Sequence, residues 1–291
     1  MELRHLRHFV AVAEELHFSR AAAKLHIAQP PLSLSIRTLE EELGARLFER
    51  TKRRVMLTEA GLNLLDEARA ILERVARAQR HVSQVVRGAV GPLEIGFTGA
   101  VVFGDVMAPL LARFRRAWPE VHLTVEQMTT AAQLQALAER RLDIGFARQP
   151  DGELPPGIRT LRVQQEQLLV ALSSDHPLCG AGRIELVALK DEPFIMPTRH
   201  TSPGLYSKVQ ELCAIAGFSP RAVAEAHQIT ALVSLAAAGI GVAIVVAGMR
   251  RAAIPGLTFV EIADDDAFLD LLVISRDGDS RPTVRNFIEL L

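Results

Sequence analysis

The sequence predicts a multi-domain chain: a mainly α-helical N-terminal winged helix-turn-helix, a long linker helix, and a two-lobed α/β domain. Three observations predict it. A short helix, a tight turn and a proline-started helix lie between Phe18 and Leu43. Apolar residues then step by three and four from Leu65 to Val86, the pattern of a heptad seam. From Leu93 onward, β-branched runs alternate with helical ones, as in a parallel sheet with crossover helices. With 291 residues the chain is too long for one ordinary core, and its 49% hydrophobic content excludes disorder.

Leu6, Phe9, Val10, Ala13 and Leu16 mark a first helix. Ser19 is expected to cap a second, Arg20 to Leu25, through its hydroxyl. His26 to Ala28 make the turn, and Pro30 and Pro31 start a third helix, where proline is tolerated because a first-turn N–H lacks a partner. Leu32, Ile36, Leu39 and Leu43 form its buried stripe. Gln29, Ser33 and Arg37 share another face, beside Pro30 and Leu34. A helix with such a leading face suits the DNA major groove: glutamine pairs with adenine, arginine with guanine or phosphate, and serine with either. Arg50, Thr51, Lys52, Arg53 and Arg54 then make a basic loop ahead of Val55-Met56-Leu57, placed to meet phosphates as a wing.

The run AAAKLHIAQPPLSLSIRTLEEELGARLFER, the basic loop and LTEAG resemble the N-terminal signature of the LysR-type transcriptional regulators, without a gap from about Leu3 to Gly61. The resemblance implies double-stranded promoter DNA as partner, contacted by Ser19, Arg20, Gln29, Pro30, Pro31, Ser33 and Arg37 and, from the wing, by Arg50, Lys52, Arg53 and Arg54. It further implies a homodimer through the linker helix, a tetramer, a change in DNA bending, and a contact with RNA polymerase. Two positions depart from the pattern. Ala28 stands where the family usually has a capping serine, and Leu34 replaces a residue that is commonly polar or basic.

Charge agrees with this organisation. The formal net charge is −1, which alone argues against nucleic acid. The average hides an asymmetry: the first 90 residues carry 15 Lys and Arg against 11 Asp and Glu, and the remainder 18 against 23. The expected domains are residues 1–58 for the DNA-binding head, 59–87 for the linker helix, 88–92 for a hinge and 93–291 for the effector domain. Within the linker, Leu65, Ala68, Leu72, Val75, Gln79, Val82 and Val86 form the seam, with Gln79 as a register-setting polar position.

Beyond the hinge, strands are expected at Leu93–Phe97, Val121–Gln127 and Leu142–Ala147, with helices at Val101–Ala117 and Ala131–Arg140 between them. A second set follows: strands at Gln167–Ser173, Phe194–Met196, Arg221–Glu225 and Val242–Val246, and helices at Leu205–Ala216 and Ile229–Ala238. The strand Leu269–Ser275 and the helix Pro282–Leu291 return to the first lobe, so lobe 1 takes about residues 93–161 and 267–291 and lobe 2 about 162–266. This is similar to the periplasmic-binding-protein-like effector domain of the LysR family.

Ligands of open α/β sheets bind beyond the carboxyl ends of strands, near helix starts. Thr98, Thr129 and Thr130 lie at such places, as do Arg148 and the stretch Thr198, His200, Thr201 and Ser202. Gln228, Ile229 and Thr230 open a helix. Hydroxyls, helix-end N–H groups and one guanidinium suit a small organic acid effector. The family's inter-lobe cleft matches Thr98, Thr201 and Ser202. RHTSPGLY and QITALVSLAAAG look most like the branch that regulates aromatic-compound catabolism.

Other classes are excluded or fit less well. No Gly-rich phosphate loop, G-x-S-x-G elbow or H-E-x-x-H motif occurs, so neither enzyme chemistry nor a cofactor or metal is expected. His176, His200 and His227 lack sequence-evident partners and read as isolated polar positions. A thiol-based redox sensor using Cys179 and Cys213 is the alternative reading, and a solute-binding protein a weaker one. The charge-free stretch Ala231 to Met249 is broken by Gly239 and Gly241, so it reads as buried helix, turn and strand rather than a membrane span. With no signal peptide read at the N-terminus, the cytoplasm is the expected location.

Overall fold

The computed structural model describes residues 1–50, 54–150 and 153–291, and the chain divides into two compact units, Met1–Gln84 and Val85–Leu291. The first unit opens with helices α1 (Leu3–Glu15), α2 (Phe18–Lys24) and α3 (Gln29–Leu43). Strands β1 (Phe48–Arg50) and β2 (Val55–Leu57) pair antiparallel, and α4 (Glu59–Val86) follows. Leu6, Phe9, Val12, Leu32, Ile36, Leu39 and Phe48 are all buried in one core.

Two expectations here are corrected. Ser19 does not cap α2; the cap is His17, whose Nδ1 accepts the Arg20 N–H at 3.4 Å. Leu43 is 42% exposed rather than part of the stripe. The helix ends there because Gly44 takes φ +64, the left-handed value that favours glycine. Ala28 precedes α3 without a side-chain cap, and Pro30 and Pro31 lie in its first turn.

Thr58 starts α4 in a way that ties it to the head. Its Oγ1 accepts the Gly61 N–H at 2.9 Å and donates to the Arg46 carbonyl at 2.7 Å. A Cβ on Gly61 would lie 2.2 Å from the Leu47 carbonyl oxygen, so only glycine permits this approach. Along α4 the expected seam divides in two. Leu65, Ala68 and Leu72 pack on the head core. Gln79, Val82 and Val86 are exposed, the two valines at 62% and 67%.

The second unit begins with β3 (Val90–Phe97), a 3-10 turn at Val101–Phe103, α5 (Met107–Ala117), β4 (Glu120–Gln127), α6 (Thr130–Ala138) and β5 (Ile144–Ala147). The single helix expected at Val101–Ala117 is therefore two pieces, parted at Gly104, whose φ of −83° and ψ of 178° are extended. Next come β6 (Ile158–Ser173), β7 (Arg183–Ile184), a 3-10 turn at Leu186–Leu189 and β8 (Pro193–Pro197). Then follow α7 (Pro203–Ile215), β9 (Arg221–Ala226), α8 (Ile229–Ala237), β10 (Ala243–Val246) and a 3-10 turn at Ala247–Ala252. Strands β11 (Leu257–Ile262) and β12 (Phe268–Arg276) and helix α9 (Pro282–Ile288) complete it.

Strand β3 pairs parallel with both β4 and β5. The long strand β6 joins two lobes: residues 158–167 pair with β12, and residues 168–173 with β10 and β11. Lobe 1 has a core on each face of its sheet, one under α5 and α9 and one under α6. A third core, built on Leu168, Phe194, Leu212 and Val245, fills lobe 2. Asn286 on α9 donates to the Arg87 carbonyl at 2.9 Å, which ties the start of this unit to its last helix.

A buried charge network fixes lobe 1. Asp143 is 2% exposed and accepts from Arg276 Nη2 at 3.0 Å and from Arg281. Asp279 accepts from both arginines, at 2.7 and 2.9 Å. Burial alone would raise the Asp279 carboxyl's pKa, but hydrogen bonds from Arg281 and Arg276 overcome this and hold it well below the usual carboxylate range. No helix among the described residues is long and apolar enough to cross a membrane.

Candidate functional site

In the first unit, helix α3 presents Gln29, Pro30, Pro31, Leu34 and Arg37 to solvent, with Ser33 half-buried beside them. The Ser19 hydroxyl donates to Gln29 Oε1 at 2.8 Å, so Ser19 orients the first side chain of the face instead of capping a helix. Arg20 is held back by Glu15, at 3.6 Å between side chains. Arg37 pairs with Glu41 at 2.8 Å, and Arg50 with Glu40 at 3.2 Å. The Arg50 guanidinium also lies 4.6 Å from the centroid of the Phe18 ring. Glu40 accepts the Leu47 and Phe48 N–H groups at 2.8 and 3.2 Å, which fixes β1 beside α3. Between them lies a hollow lined by Ser33, Leu34, Arg37, Glu40, Arg46 and Arg50. Arg54 is exposed. Lys52 and Arg53 lie outside the described residues.

In the second unit, a cavity of about 270 Å³ opens between the lobes. Strand ends and helix starts converge on it. From lobe 1 come Thr98 and Gly99 after β3, Gln127 to Thr130 between β4 and α6, and Arg148 after β5. From lobe 2 come Thr201 to Leu205 at the start of α7 and His227 to Ile229 at the start of α8. Neither α7 nor α8 has a side-chain cap, so both present first-turn N–H groups. Thr129 caps α6 by accepting the Ala132 N–H at 3.2 Å.

The strand ends are fixed by Gln133, a fully buried side chain that donates to the Met128 and Phe146 carbonyls, both at 3.2 Å. The Phe146 carbonyl also accepts the Thr98 N–H at 3.0 Å, and the Thr98 carbonyl accepts the Val101 N–H at 3.0 Å. Thr98 is thus held by its backbone, while its Oγ1 is buried with no hydrogen-bond partner among the described residues. Such a group costs about 1–3 kcal/mol until something satisfies it.

Thr98, Thr129, Thr130, Arg148, Thr201, Ser202, Gln228 and Ile229 come together on the cavity wall. Three expected residues do not. His200 and Thr230 are exposed and off the lining. Thr198 is buried one layer back, because its hydroxyl bonds Thr201 Oγ1 at 2.7 Å and His227 Nδ1 at 3.4 Å. Arg148 also differs in role: its guanidinium is buried and paired with the Glu166 carboxylate, so it brings the cavity no uncompensated charge. Glu166 is in the polar run Gln164 to Gln167, which carries no motif.

Cys213 lies in the lobe 2 core, and burial pushes its thiol up to about 12, which leaves almost no thiolate at neutral pH. Cys179 is half-buried. Among the described residues no group of three or more His, Cys, Asp or Glu is placed to hold a metal ion.

Comparison with known proteins agrees with both halves of the chain. Residues 3–62 match the family "Bacterial regulatory helix-turn-helix protein, lysR family", and residues 87–291 match "LysR substrate binding domain". The chain belongs to the LysR family. It is a LysR-type DNA-binding transcriptional regulator with a substrate-binding domain. A relative in Escherichia coli, the uncharacterized HTH-type transcriptional regulator YnfL, is 39% identical over 99% of this chain and 96% of its own. The crystal structure of CbnR, a LysR family transcriptional regulator, superposes with a TM-score of 0.92 at 29% identity, covering 100% and 99% of the two chains. Full-length CbnR complexed with its target DNA gives 0.87 at 29% identity, over 100% and 98%.

Within this LysR-family chain, sequence reasoning missed His227, Gln127, Gly204 and Leu269 on the cavity wall. His227 had a usable signal, since it lies directly between a strand and a helix start, where ligands of such sheets bind. Gly204 is required by a close approach: a Cβ there would lie 2.7 Å from the Gln149 carbonyl oxygen. That contact joins residues 55 positions apart and leaves no local pattern.

Proposed function

We propose that the inter-lobe cavity binds a small organic acid and that its occupancy alters promoter binding or bending. The observation that carries this reading is Thr98 on the lobe 1 wall, whose buried Oγ1 has no hydrogen-bond partner among the described residues, across a cavity whose lobe 2 wall holds two uncapped helix starts. A carboxylate between them gains hydrogen bonds from both lobes and favours the conformation in which both reach it. Met128, Leu205, Ile229, Val246 and Leu269 give the rest of the wall an apolar character, which suits a hydrocarbon or aromatic-derived body on that acid.

The DNA contacts are Ser19, Arg20, Gln29, Pro30, Pro31, Ser33 and Arg37 at the helix-turn-helix, and Arg50, Lys52, Arg53 and Arg54 at the wing. Residues 1–58 serve as head and 59–87 as linker; of the expected hinge 88–92, Val90 to Pro92 pair with β4 and so belong with 93–291 to the sensor, the whole acting in the cytoplasm and able to meet RNA polymerase. The exposed valines of α4 supply a self-association surface, giving a dimer that pairs further into a tetramer. A thermal-shift screen of small organic acids tests the sensor. An acid at about 100 times its dissociation constant stabilises by about 2.7 kcal/mol. Acids that stabilise wild type clearly more than Thr98→Val support the reading, and equal stabilisation of both places the site elsewhere.

A further inference from the structure

Three side chains at the lobe 2 wall form a hydrogen-bonded row. Thr201 Oγ1 lies 2.7 Å from Thr198 Oγ1, which lies 3.4 Å from His227 Nδ1. Thr201 and His227 line the cavity, and Thr198 is buried between them at 6% exposure. A hydroxyl has one proton to give, so the row has two continuous orderings. When His227 Nδ1 lacks a proton, Thr198 donates to the ring, Thr201 donates to Thr198, and Thr201 shows the cavity only lone pairs. When Nδ1 carries a proton, the ring donates to Thr198, Thr198 donates to Thr201, and the Thr201 proton turns to the cavity. A carboxylate accepts and cannot donate, so it binds only the second arrangement well.

We infer that His227, acting through Thr198, decides whether Thr201 offers the cavity a proton or a lone pair, and so makes the site select carboxylates when Nδ1 carries a proton. The inference rests on the reading of this cavity as the effector site. A protonated ring enforces the second arrangement and adds a positive charge beside it. Histidine is the side chain whose charge changes between pH 5 and 8. Arg148 is neutralised by Glu166, and Lys208 on α7 pairs with Glu211 at 3.1 Å. Arg199 and His200 follow β8, Glu225 lies on β9, and α8 carries no charged residue. His227 is a specificity-determining residue here, and Thr198 a positioning residue.

The test has a ligand-free part and a ligand part, both on the full chain. Histidine C2-hydrogen exchange, read by mass spectrometry, gives the titration midpoint of His227. Thr201→Val should move it, although the Thr201 hydroxyl meets the ring only through Thr198. In a Thr198→Val background, Thr201→Val should add nothing. An unmoved midpoint in Thr201→Val, or an equal shift in both backgrounds, overturns the relay. Benzoate and its neutral counterpart benzamide are the probes for the ligand part. Benzoate should bind wild type up to about tenfold more tightly below the measured His227 midpoint than above it, benzamide equally on both sides, and His227→Gln should erase the difference. A benzoate affinity equally pH-dependent in His227→Gln overturns the selectivity. If no acid binds at all, the acid-sensor reading fails, while the exchange result still decides the relay.

Discussion

Replacing Thr98 with valine separates the stability of the empty sensor from its response. The substitution keeps the side chain's shape and both backbone bonds, to Phe146 and from Val101, and removes only the buried Oγ1. An unsatisfied buried hydroxyl costs about 1–3 kcal/mol, and valine removes that cost. In a unit the size of Val85–Leu291, each kcal/mol moves the midpoint by about 2–4 °C. The empty variant should therefore melt at least about 2 °C above wild type in differential scanning calorimetry. Effector affinity should move oppositely, falling roughly ten- to a hundredfold, because one ligand oxygen loses its donor. Stability and response thus change in opposite senses, which a general loss of folding cannot produce. A variant that melts lower, or that keeps the full effector response, would show that the hydroxyl is already satisfied and that the site has been misassigned.

Three further outcomes are expected. Val82→Lys places a charge at a position 62% exposed in the single chain, so folding should persist while light scattering shows weaker self-association; unaltered oligomers would remove α4 as the interface. Arg37→Ala and Arg50→Ala should each reduce the log–log salt dependence of DNA binding by about 0.9. The exposed pair of Arg37 with Glu41 contributes only about 0.2–1 kcal/mol, so in Arg37→Ala the head should melt nearly as before, while Arg50→Ala, which also loses the contact with Phe18, should melt somewhat lower. Asp279→Asn should destabilise the second unit at pH 7 by about 1–3 kcal/mol, a range kept low because Arg281 is 43% exposed. The folded Asp279 carboxyl titrates below its unfolded value of about 3.9. Its stabilisation is therefore present above that pH and lost as pH falls through the folded value. The variant's stability should accordingly change less with acid than wild type's.

Elements with strong local signals were legible in the sequence. The stripe Leu32, Ile36 and Leu39, the proline start of α3 and the parallel β3, β4 and β5 all follow from periodicity and punctuation. Errors arose where a distant partner decided the outcome. Ser19 has the chemistry of a cap, yet its hydroxyl is taken by Gln29, ten residues on. The first half of β6 is polar and half-exposed, so its continuity through both lobes comes from pairing with β12, about a hundred residues away. Strands β7 and β11 were missed for the same reason: the two-residue Arg183–Ile184 is a strand only because it lies beside Glu261 and Ile262. At the cavity, threonines at strand ends were readable by position. The neutralisation of Arg148 by Glu166 and the row from His227 to Thr201 depend on folded geometry that no spacing encodes.

The central claim is that occupancy of the inter-lobe cavity changes how the chain holds its DNA. A footprint on the DNA upstream of its own coding sequence, with and without an acid that raises the melting temperature, tests this most directly. The protected region or its hypersensitive, bent positions should change when the acid is added, and Thr98→Val should need about ten- to a hundredfold more acid for the same change. A footprint identical with and without such an acid, at a concentration that fills the site, would contradict the account.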